Sequence, residues 1–173
     1  MQISIAQVSD FDPVRSFYHK LIDEMRGSPY LPGWEKEKHP SNGLIATSIE
    51  LGEMFICESE GPIVGAMILN HEVGQGYDEA KWLVDAPENE VTVLHVIAVS
   101  PSMQGKGIAD TLMQYAIDYA RRHGQKSLRL DVMKGNTPAE KLYDRYGFSC
   151  VLERRSLYGN AGIITARLLE LVL

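Results

Sequence analysis

The sequence contains only two cysteines among its 173 residues, and these two lack metal-ligand spacing. Two cysteines cannot build the dense disulfide framework that stabilises small secreted domains. Cys57 and Cys150 each lie within an apolar stretch, which predicts buried thiols. We therefore expect neither a metal site nor a disulfide-stabilised fold.

Positive charge and long apolar runs are also scarce. Lys and Arg number 17 against 23 Asp and Glu, and the formal net charge of −6 argues against reliance on non-specific nucleic-acid binding. The N-terminus lacks a basic start followed by an apolar core, and no apolar run approaches membrane-spanning length. We predict a cytoplasmic protein without nucleic-acid or membrane partners, folded as a single domain over residues 1–173.

The most informative stretch is 91–124, where a strand, a glycine loop and a helix follow one another. β-branched residues dominate Val91–Val99 and predict a buried strand, which Pro101 ends because proline cannot donate to a ladder. From Ile108 onward apolar residues recur at helical spacing, and Gly124 can take the left-handed conformation after the helix. Small residues before the unpaired N–H groups of a helix start form a cradle for an anion.

Two common phosphate-binding loops do not match this stretch. A Walker A loop requires glycine at the position of Ser100, and Ser or Thr at that of Gly107. A dinucleotide-binding loop requires a third glycine where Asp110 stands. What remains is the pattern Gln-x-x-Gly-x-Ala, from Gln104 to Ala109.

A second patterned segment, 130–148, combines signals for the start and the end of a helix. Thr137-Pro-Ala-Glu140 has the form of a capping box with proline at the first helical position, and Gly147 is placed to end the helix. We therefore predict that Thr137 caps a helix over Pro138–Tyr146, with Asn136 just outside it and its amide free.

The remaining patterns complete a series of strands and helices. Gly27–Gly33 is rich in turn residues, and Trp34–Pro40 is predicted to be exposed and polar. Hydrophobic periodicity and cap residues predict the other elements: strand Gln2–Ala6, a helix from Asp10 or Asp12 to about Arg26, a helix from Ser41 or Asn42 to Leu51, strands Glu53–Ser59 and Ile63–His71, strand Ser127–Met133, strand Phe148–Glu153, and a last strand within Ile163–Leu173.

The two motifs together resemble those of the GNAT superfamily of N-acetyltransferases. That superfamily carries Gln/Arg-x-x-Gly-x-Gly/Ala between a strand and a helix, and Gln104–Ala109 matches it. Its later pattern Asn-x-x-Ala-x-x-Leu-Tyr-x-x-x-Gly-Phe is matched in register by Asn136–Phe148. The predicted element order is also similar. The resemblance implies an α/β fold with a mixed, mostly antiparallel central sheet flanked by helices, in the order β-α-α-β-β-β-α-β-α-β-β.

The resemblance further implies acetyl-CoA as the cosubstrate. In the superfamily the central strand splays from its neighbour and its backbone pairs with the pantetheine amides, while the loop binds the pyrophosphate. The lysine of the loop is either an added charge for the cofactor or a solvated side chain, and the asparagine before the second helix binds the cofactor or only shapes the turn. Carried over residue by residue, the cofactor contacts fall on Ile97, Ala98, Val99, Gln104, Gly105, Lys106, Gly107, Ile108, Ala109 and Asn136.

Catalysis is expected to need a general acid and a general base. Tyr143 occupies the superfamily's Leu-Tyr position and is the expected acid, because a phenol with a pKa near ~10 can protonate a thiolate whose thiol has a pKa near ~8.5. The base stays open between Asp131, which ends a strand, and His95, which simple alternation places on the strand face of Val99. His71 is a third choice.

The resemblance implies acetyl transfer to a primary amine by direct attack in a ternary complex, since no cysteine lies in either motif. The acceptor stays open between a small molecule and a protein N-terminus or lysine, and a non-catalytic acyl-CoA-binding or sensory protein is an alternative. A homodimer is also implied, with Ile163–Leu173 as an edge strand at its interface or as core. Five loop residues are candidates for acceptor recognition or for packing over the core edge: Tyr30, Trp34, His39, Tyr77 and Trp82.

Overall fold

The computed structural model describes residues 1–28, 30, 33–157 and 162–173, with only the backbone of Ser156. The predicted turn-rich segment 27–33 therefore falls partly on residues 29, 31 and 32, which lie outside the described residues. The predicted order of strands and helices is confirmed. In chain order the elements are β1 (Gln2–Ile5), α1 (Phe11–Glu24), α2 (Asn42–Glu50), β2 (Met54–Glu58), β3 (Ile63–Asn70), β4 (Val91–Val99), α3 (Ile108–Arg122), β5 (Ser127–Met133), α4 (Thr137–Arg145), β6 (Ser149–Leu157) and β7 (Ile163–Val172).

The strands form one seven-stranded sheet in the order β1-β2-β3-β4-β5-β7-β6. Only the β4–β5 pair is parallel, and the other neighbours run antiparallel. The prediction of a mixed, mostly antiparallel sheet is therefore confirmed. β7 lies between β5 and β6, so it is not an edge strand at a dimer interface. The alternative that this run belongs to the core is confirmed, since Ala166, Leu168 and Leu169 are buried. The homodimer itself stays a prediction.

Helices cover both faces of the sheet because alternate strand residues point to opposite sides. On one face, Leu112 and Met113 of α3 pack with Phe55 and Met67 of the sheet. On the other face α1 and α2 form a second cluster, in which Val14, Tyr18 and Ile45 meet Met54 and Ile68. The apolar spacing of these helices is thus explained by burial against the sheet.

Trp34 and Cys150 correct two predictions about exposure. Trp34 is buried and lies 5.8 Å from the ring of Tyr18, so the segment that holds it is not simply exposed and polar. Cys57 is buried as predicted, but Cys150 is exposed. Local apolarity misleads at Cys150 because β6 is an edge strand with a solvent-facing side.

The start of α4 also differs from the prediction. Thr137 is the first helical residue and Asn136 occupies the N-cap position without a side-chain cap bond. The carboxylate of Glu140 pairs with Arg167 of β7 at 2.9 Å and accepts a hydrogen bond of 3.4 Å from the backbone N–H of Gly135. The predicted capping box does not form, because the helix begins one residue earlier than a cap at Thr137 requires. Gly147 does take the left-handed conformation after the helix, with φ of 83°.

No helix within the described residues combines the length and the apolar character that a membrane crossing needs.

Candidate active site

The two central strands separate and open a cleft in the middle of the sheet. β4 and β5 pair at only three positions, and the ladder ends where Val93 faces Arg129. β5 continues beyond this point, paired with β7 as far as Met133. The second half of β4 therefore lacks a strand partner on its β5 side, and a cleft of about 1290 Å³ lies there.

A β-bulge shapes β4 at the wall of this cleft. Ala66 faces Ala98 and Ile68 faces His95, so two residues of β4 oppose the single Met67 of β3. Val96 in the bulge has φ of 42°, a conformation that β-branched residues rarely adopt.

The hydroxyl of Tyr18 donates a hydrogen bond of 2.9 Å to the carbonyl oxygen of Val96. Tyr18 is fully buried in α1, and this burial raises the pKa of its phenol. The hydrogen bond from Tyr18 of α1 thus stabilises the bulge in β4.

The bulge changes which residues share a strand face. Ile97 and Val99 pack with the cluster on the α3 side, whereas Val96 and Ala98 pack with the α1 and α2 side. Simple alternation predicts His95 on the face of Ile97 and Val99, but Leu94 is the residue that packs there. The predicted orientation of His95 is therefore wrong, because the extra residue of the bulge reverses the alternation.

The glycine loop places the start of α3 at the cleft. Gly105 and Gly107 have φ of 75° and 78°, and an ideal Cβ on either residue would meet no atom within 4 Å. Gly107 is the N-cap residue of α3 and, as a glycine, has no side chain that could occupy the first N–H groups of the helix. The first N–H groups of the helix have no intrahelical acceptor, so they are available to an anion.

Nine of the ten predicted cofactor residues line the cleft. They are Ile97, Ala98, Val99, Gln104, Gly105, Gly107, Ile108, Ala109 and Asn136. Lys106 does not line it, and its ammonium lies 3.4 Å from the sulfur of Met103. The predicted loop and strand residues therefore line one cleft, whereas the side chain of Lys106 does not line it.

Tyr143 lines the cleft from α4. Its side chain is buried, and its ring lies 5.7 Å from that of Phe148. Asn136 lines the cleft as well, and its amide is not used for capping. The second predicted motif therefore reaches the same cavity as the first.

Asp131 extends into the cleft from β5. Its side chain is half-buried, and burial raises the pKa of the carboxyl. Gly74 lies beside it, where an added Cβ would be 3.8 Å from Oδ1 of Asp131. Burial and a raised pKa make this carboxyl a candidate proton acceptor in the cleft.

His95 lines the cleft from β4. Its Nε2 is 3.0 Å from Oδ1 of Asn70 and 3.1 Å from the carbonyl oxygen of Glu72. Burial lowers the pKa of the imidazole, which favours its neutral form. His71 is different: it is exposed, its Nδ1 contacts the carbonyl oxygen of Val91 at 2.7 Å, and it does not line the cleft.

The predicted acceptor residues separate into two groups. Tyr30, Trp34 and His39 line the cleft, and burial lowers the pKa of His39. Tyr77 and Trp82 do not line it; they pack together with ring centroids 5.0 Å apart.

Several polar residues that line the cleft are specified by neither motif, among them Glu53, Asn70 and Arg145. Arg145 pairs with Asp110 at 2.5 Å, near the start of α3. These residues come together only when the strands and helices have assembled, so no local sequence pattern predicts their position in the cleft. Among the described residues there is also no group of three or more His, Cys, Asp or Glu side chains that could hold a metal ion.

Comparison with known proteins agrees with this architecture. The Acetyltransferase (GNAT) family matches residues 15–148. Streptothricin acetyltransferase of Streptomyces lavendulae is 39% identical over 74 residues, which cover 42% of this chain and 39% of that protein. The [ribosomal protein bS18]-alanine N-acetyltransferase of Haemophilus ducreyi is 36% identical over 70 residues, which cover 40% and 48% of the two chains.

The fold extends over the whole length in solved structures. The Salmonella typhimurium protein yncA, determined with its cofactor acetyl-CoA, superposes with a TM-score of 0.71 at 18% identity, covering 100% of this chain and 94% of the other. The sequence matches to the two curated relatives each span less than half of the relative's length. Because the family match covers most of the chain, the protein belongs to the GNAT acetyltransferase family.

Proposed function

We propose that this protein transfers the acetyl group of acetyl-CoA to a primary amine by direct attack in a ternary complex. The observation that carries the proposal is the cleft where β4 leaves β5. It brings together the open edge of β4, the glycine loop at the start of α3, and Tyr143. We also propose that residues 1–173 act as one domain, supported by the single continuous sheet.

The cofactor has a complementary surface in this cleft. Backbone N–H groups from Gly105 to Ala109 are proposed to bind the pyrophosphate, where the absence of a side chain at Gly107 allows close approach. The unpaired edge of β4 at Ile97–Val99 is proposed to pair with the amides of the pantetheine arm. One of these N–H groups is also suited to stabilise the oxyanion of the tetrahedral intermediate.

The proton inventory defines what the side chains must do. The acceptor ammonium loses one proton before its nitrogen attacks the thioester carbonyl, and the nitrogen loses a second proton as the amide forms. The C–N bond forms, the C–S bond breaks, and the departing thiolate takes one proton, which Tyr143 is proposed to donate. One proton is released overall, and Asp131 and His95 are the proposed acceptors for protons from the amine.

Direct attack is supported by the composition of the cleft. Among the described residues no cysteine lines it, so there is no thiol nucleophile for an acyl-enzyme. The charge of the cleft favours a cationic acceptor. Glu53, Glu72 and Asp131 line it, whereas the one cationic arginine or lysine on the described lining, Arg145, is paired with Asp110.

A protein N-terminus is the second candidate acceptor, because it also presents a primary ammonium. The names of the two relatives refer to streptothricin and to an alanine of ribosomal protein bS18. Both candidates place the same acetyl-transfer chemistry in the same cleft.

The test is release of free CoA thiol from acetyl-CoA in the presence of amines. The panel includes polyamines, amino acids, aminoglycosides, streptothricin-type amines and peptides with free N-termini. The expected result is amine-dependent thiol release with one acetyl group found on the product nitrogen by mass spectrometry. Binding of acetyl-CoA without transfer to any amine on the panel would favour the acyl-CoA-binding alternative instead.

A further inference from the structure

A chain of side-chain hydrogen bonds along the cleft ends on His95. Glu53 lies just before β2, Asn70 ends β3, and His95 lies in β4. Nδ2 of Asn70 donates to Oε2 of Glu53 at 3.0 Å, and Oδ1 of Asn70 contacts Nε2 of His95 at 3.0 Å. Neighbouring strands therefore link a carboxylate, an amide and an imidazole in a row.

The orientation of the Asn70 amide is determined at both of its ends. Its nitrogen faces a carboxylate oxygen of Glu53, which only accepts hydrogen bonds when ionised. Its oxygen accepts a bond of 3.0 Å from the backbone N–H of Glu72. The flipped amide would place two acceptors together at one end and two donors together at the other, so both contacts favour the same orientation.

This orientation in turn determines the tautomer of His95. Oδ1 of Asn70 and the carbonyl oxygen of Glu72 are both acceptors, and both lie within 3.1 Å of Nε2. The proton of the neutral imidazole must therefore be on Nε2, and Nδ1 carries the lone pair. Nδ1 has no hydrogen-bond partner in the part of the chain that the structure describes.

We propose that Glu53 and Asn70 are positioning residues that hold His95 in its Nε2–H tautomer, so that Nδ1 takes the proton from the acceptor ammonium. This inference rests on the acetyl transfer proposed above and assigns the base that it needs. The proton moves from the ammonium nitrogen to Nδ1 and then to solvent, which leaves the neutral amine ready to attack. Asp131 also lines the cleft, but in this assignment it does not take the first proton of the ammonium.

The amide between the carboxylate and the imidazole has a chemical consequence. A carboxylate placed directly against Nε2–H stabilises the imidazolium and raises its pKa. Asn70 provides the same hydrogen bond without the charge, so the imidazole stays neutral, in keeping with the lowered pKa of His95. The other charged groups that act on this ring are Glu72, which opposes the lowering, and His39, which reinforces it; Asp131 lines the same cleft from β5.

The decisive experiment exchanges the amide and the carboxylate in the double variant Glu53→Gln/Asn70→Asp. The exchange preserves net charge, nearly preserves volume, and keeps a donor facing an acceptor between the two side chains. It places the carboxylate, now on residue 70, directly against Nε2–H of His95. The matched control is Glu88→Gln/Asn89→Asp, which makes the same two substitutions at exposed neighbouring residues outside the cleft.

Two measurements report on His95 as the base in the wild-type protein, the exchanged variant and the control. The first is the pKa and the tautomer of His95 from imidazole 15N NMR, with the resonance assigned by its loss in His95→Gln. The second is kcat/KM for the amine as a function of pH. In the exchanged variant the pKa of His95 is expected to rise by about one unit or more, and the acid limb of kcat/KM is expected to move to higher pH by the same amount. The control is expected to change neither readout.

The outcomes separate the inference from the proposed function. An Nδ1–H tautomer in the wild-type protein would overturn the inference without any activity measurement. A raised pKa of His95 with an unmoved acid limb would also overturn it, and would favour Asp131 as the base. Absence of transfer to every amine by the wild-type protein, together with an Nε2–H tautomer, would instead contradict the proposed function and remove His95's catalytic role.

Discussion

The hydroxyl of Tyr18 offers a sharp test of how the cleft is built. It is fully buried and donates to the carbonyl of Val96, the bulge residue with φ of 42°. Tyr18→Phe removes this one oxygen and keeps the ring, which contacts the rings of Phe17 and Trp34 at centroid distances of 5.2 and 5.8 Å. The substitution therefore tests the hydrogen bond separately from the packing.

The expected loss of stability follows from the carbonyl left behind. The bond is partly buried, and an acceptor left without its donor destabilises the native state by about 1–3 kcal/mol, the upper end applying to full burial. For a chain of this length each kcal/mol lowers Tm by about 2–4 °C, so Tm is expected to fall by about 2–12 °C. Because Val96 adopts an unfavourable conformation that the bond helps to hold, the variant is also expected to bind acetyl-CoA more weakly through the altered edge of β4.

Urea unfolding and acetyl-CoA titration measure the two effects, with Tyr115→Phe as the control. The Tyr115 side chain is half-buried, and its hydroxyl makes no hydrogen bond within the described residues. The control is expected to change the free energy of unfolding by no more than about 0.5 kcal/mol. Equal stability of wild-type and Tyr18→Phe proteins would refute the role of the bond, and lower stability with unchanged acetyl-CoA affinity would refute its link to the cofactor site.

The remaining predictions concern the loop, the acid and the buried histidines. Gly107→Val is expected to weaken acetyl-CoA binding at least ~10-fold, because a side chain would fill the cradle and left-handed backbone costs about 1–2 kcal/mol; Gly124→Val, with φ of 69° at the other end of α3, should destabilise similarly but leave affinity unchanged. Tyr143→Phe is expected to lower kcat ~100-fold or more with little effect on acetyl-CoA affinity, and equal turnover would eliminate it as the acid. His39 and His95 have lowered folded-state pKa values, so their contribution to stability is present above about pH 6.5 and is lost as pH falls through the folded pKa values. The free energy of unfolding of His39→Gln/His95→Gln should therefore fall less steeply between pH 7 and pH 5 than that of the wild type, and parallel curves would contradict these assignments.

The parts of the fold that the sequence predicts well are those governed by local chemistry. β4 and β5 begin and end at the predicted residues, because long β-branched or apolar runs are bounded there by breakers. Gly124 and Gly147 take the left-handed conformation after α3 and α4, as expected of glycine at helix ends.

The parts that local patterns miss depend on contacts between distant residues. Nothing around Val96 resembles a bulge signal, since its positive φ is supported by Tyr18 from α1. The capping box at Thr137 does not form because the helix begins one residue earlier, and Glu140 also pairs with Arg167 of a strand that comes later in the chain. His95 was a candidate from its strand alone, whereas its connection to Glu53 through an amide requires three strands to assemble.

The most direct measurement of the central claim is thermal unfolding with and without acetyl-CoA, with free CoA alongside and Gly107→Val as the comparison. A ligand at 100 times its Kd stabilises the native state by about 2.7 kcal/mol. For a chain of this length that corresponds to a rise in Tm of about 5–11 °C. The account predicts a rise that grows with acetyl-CoA concentration in the wild type and is much smaller in the variant at the same concentration. No rise in the wild type at millimolar acetyl-CoA would contradict the assignment of the cleft to this cofactor.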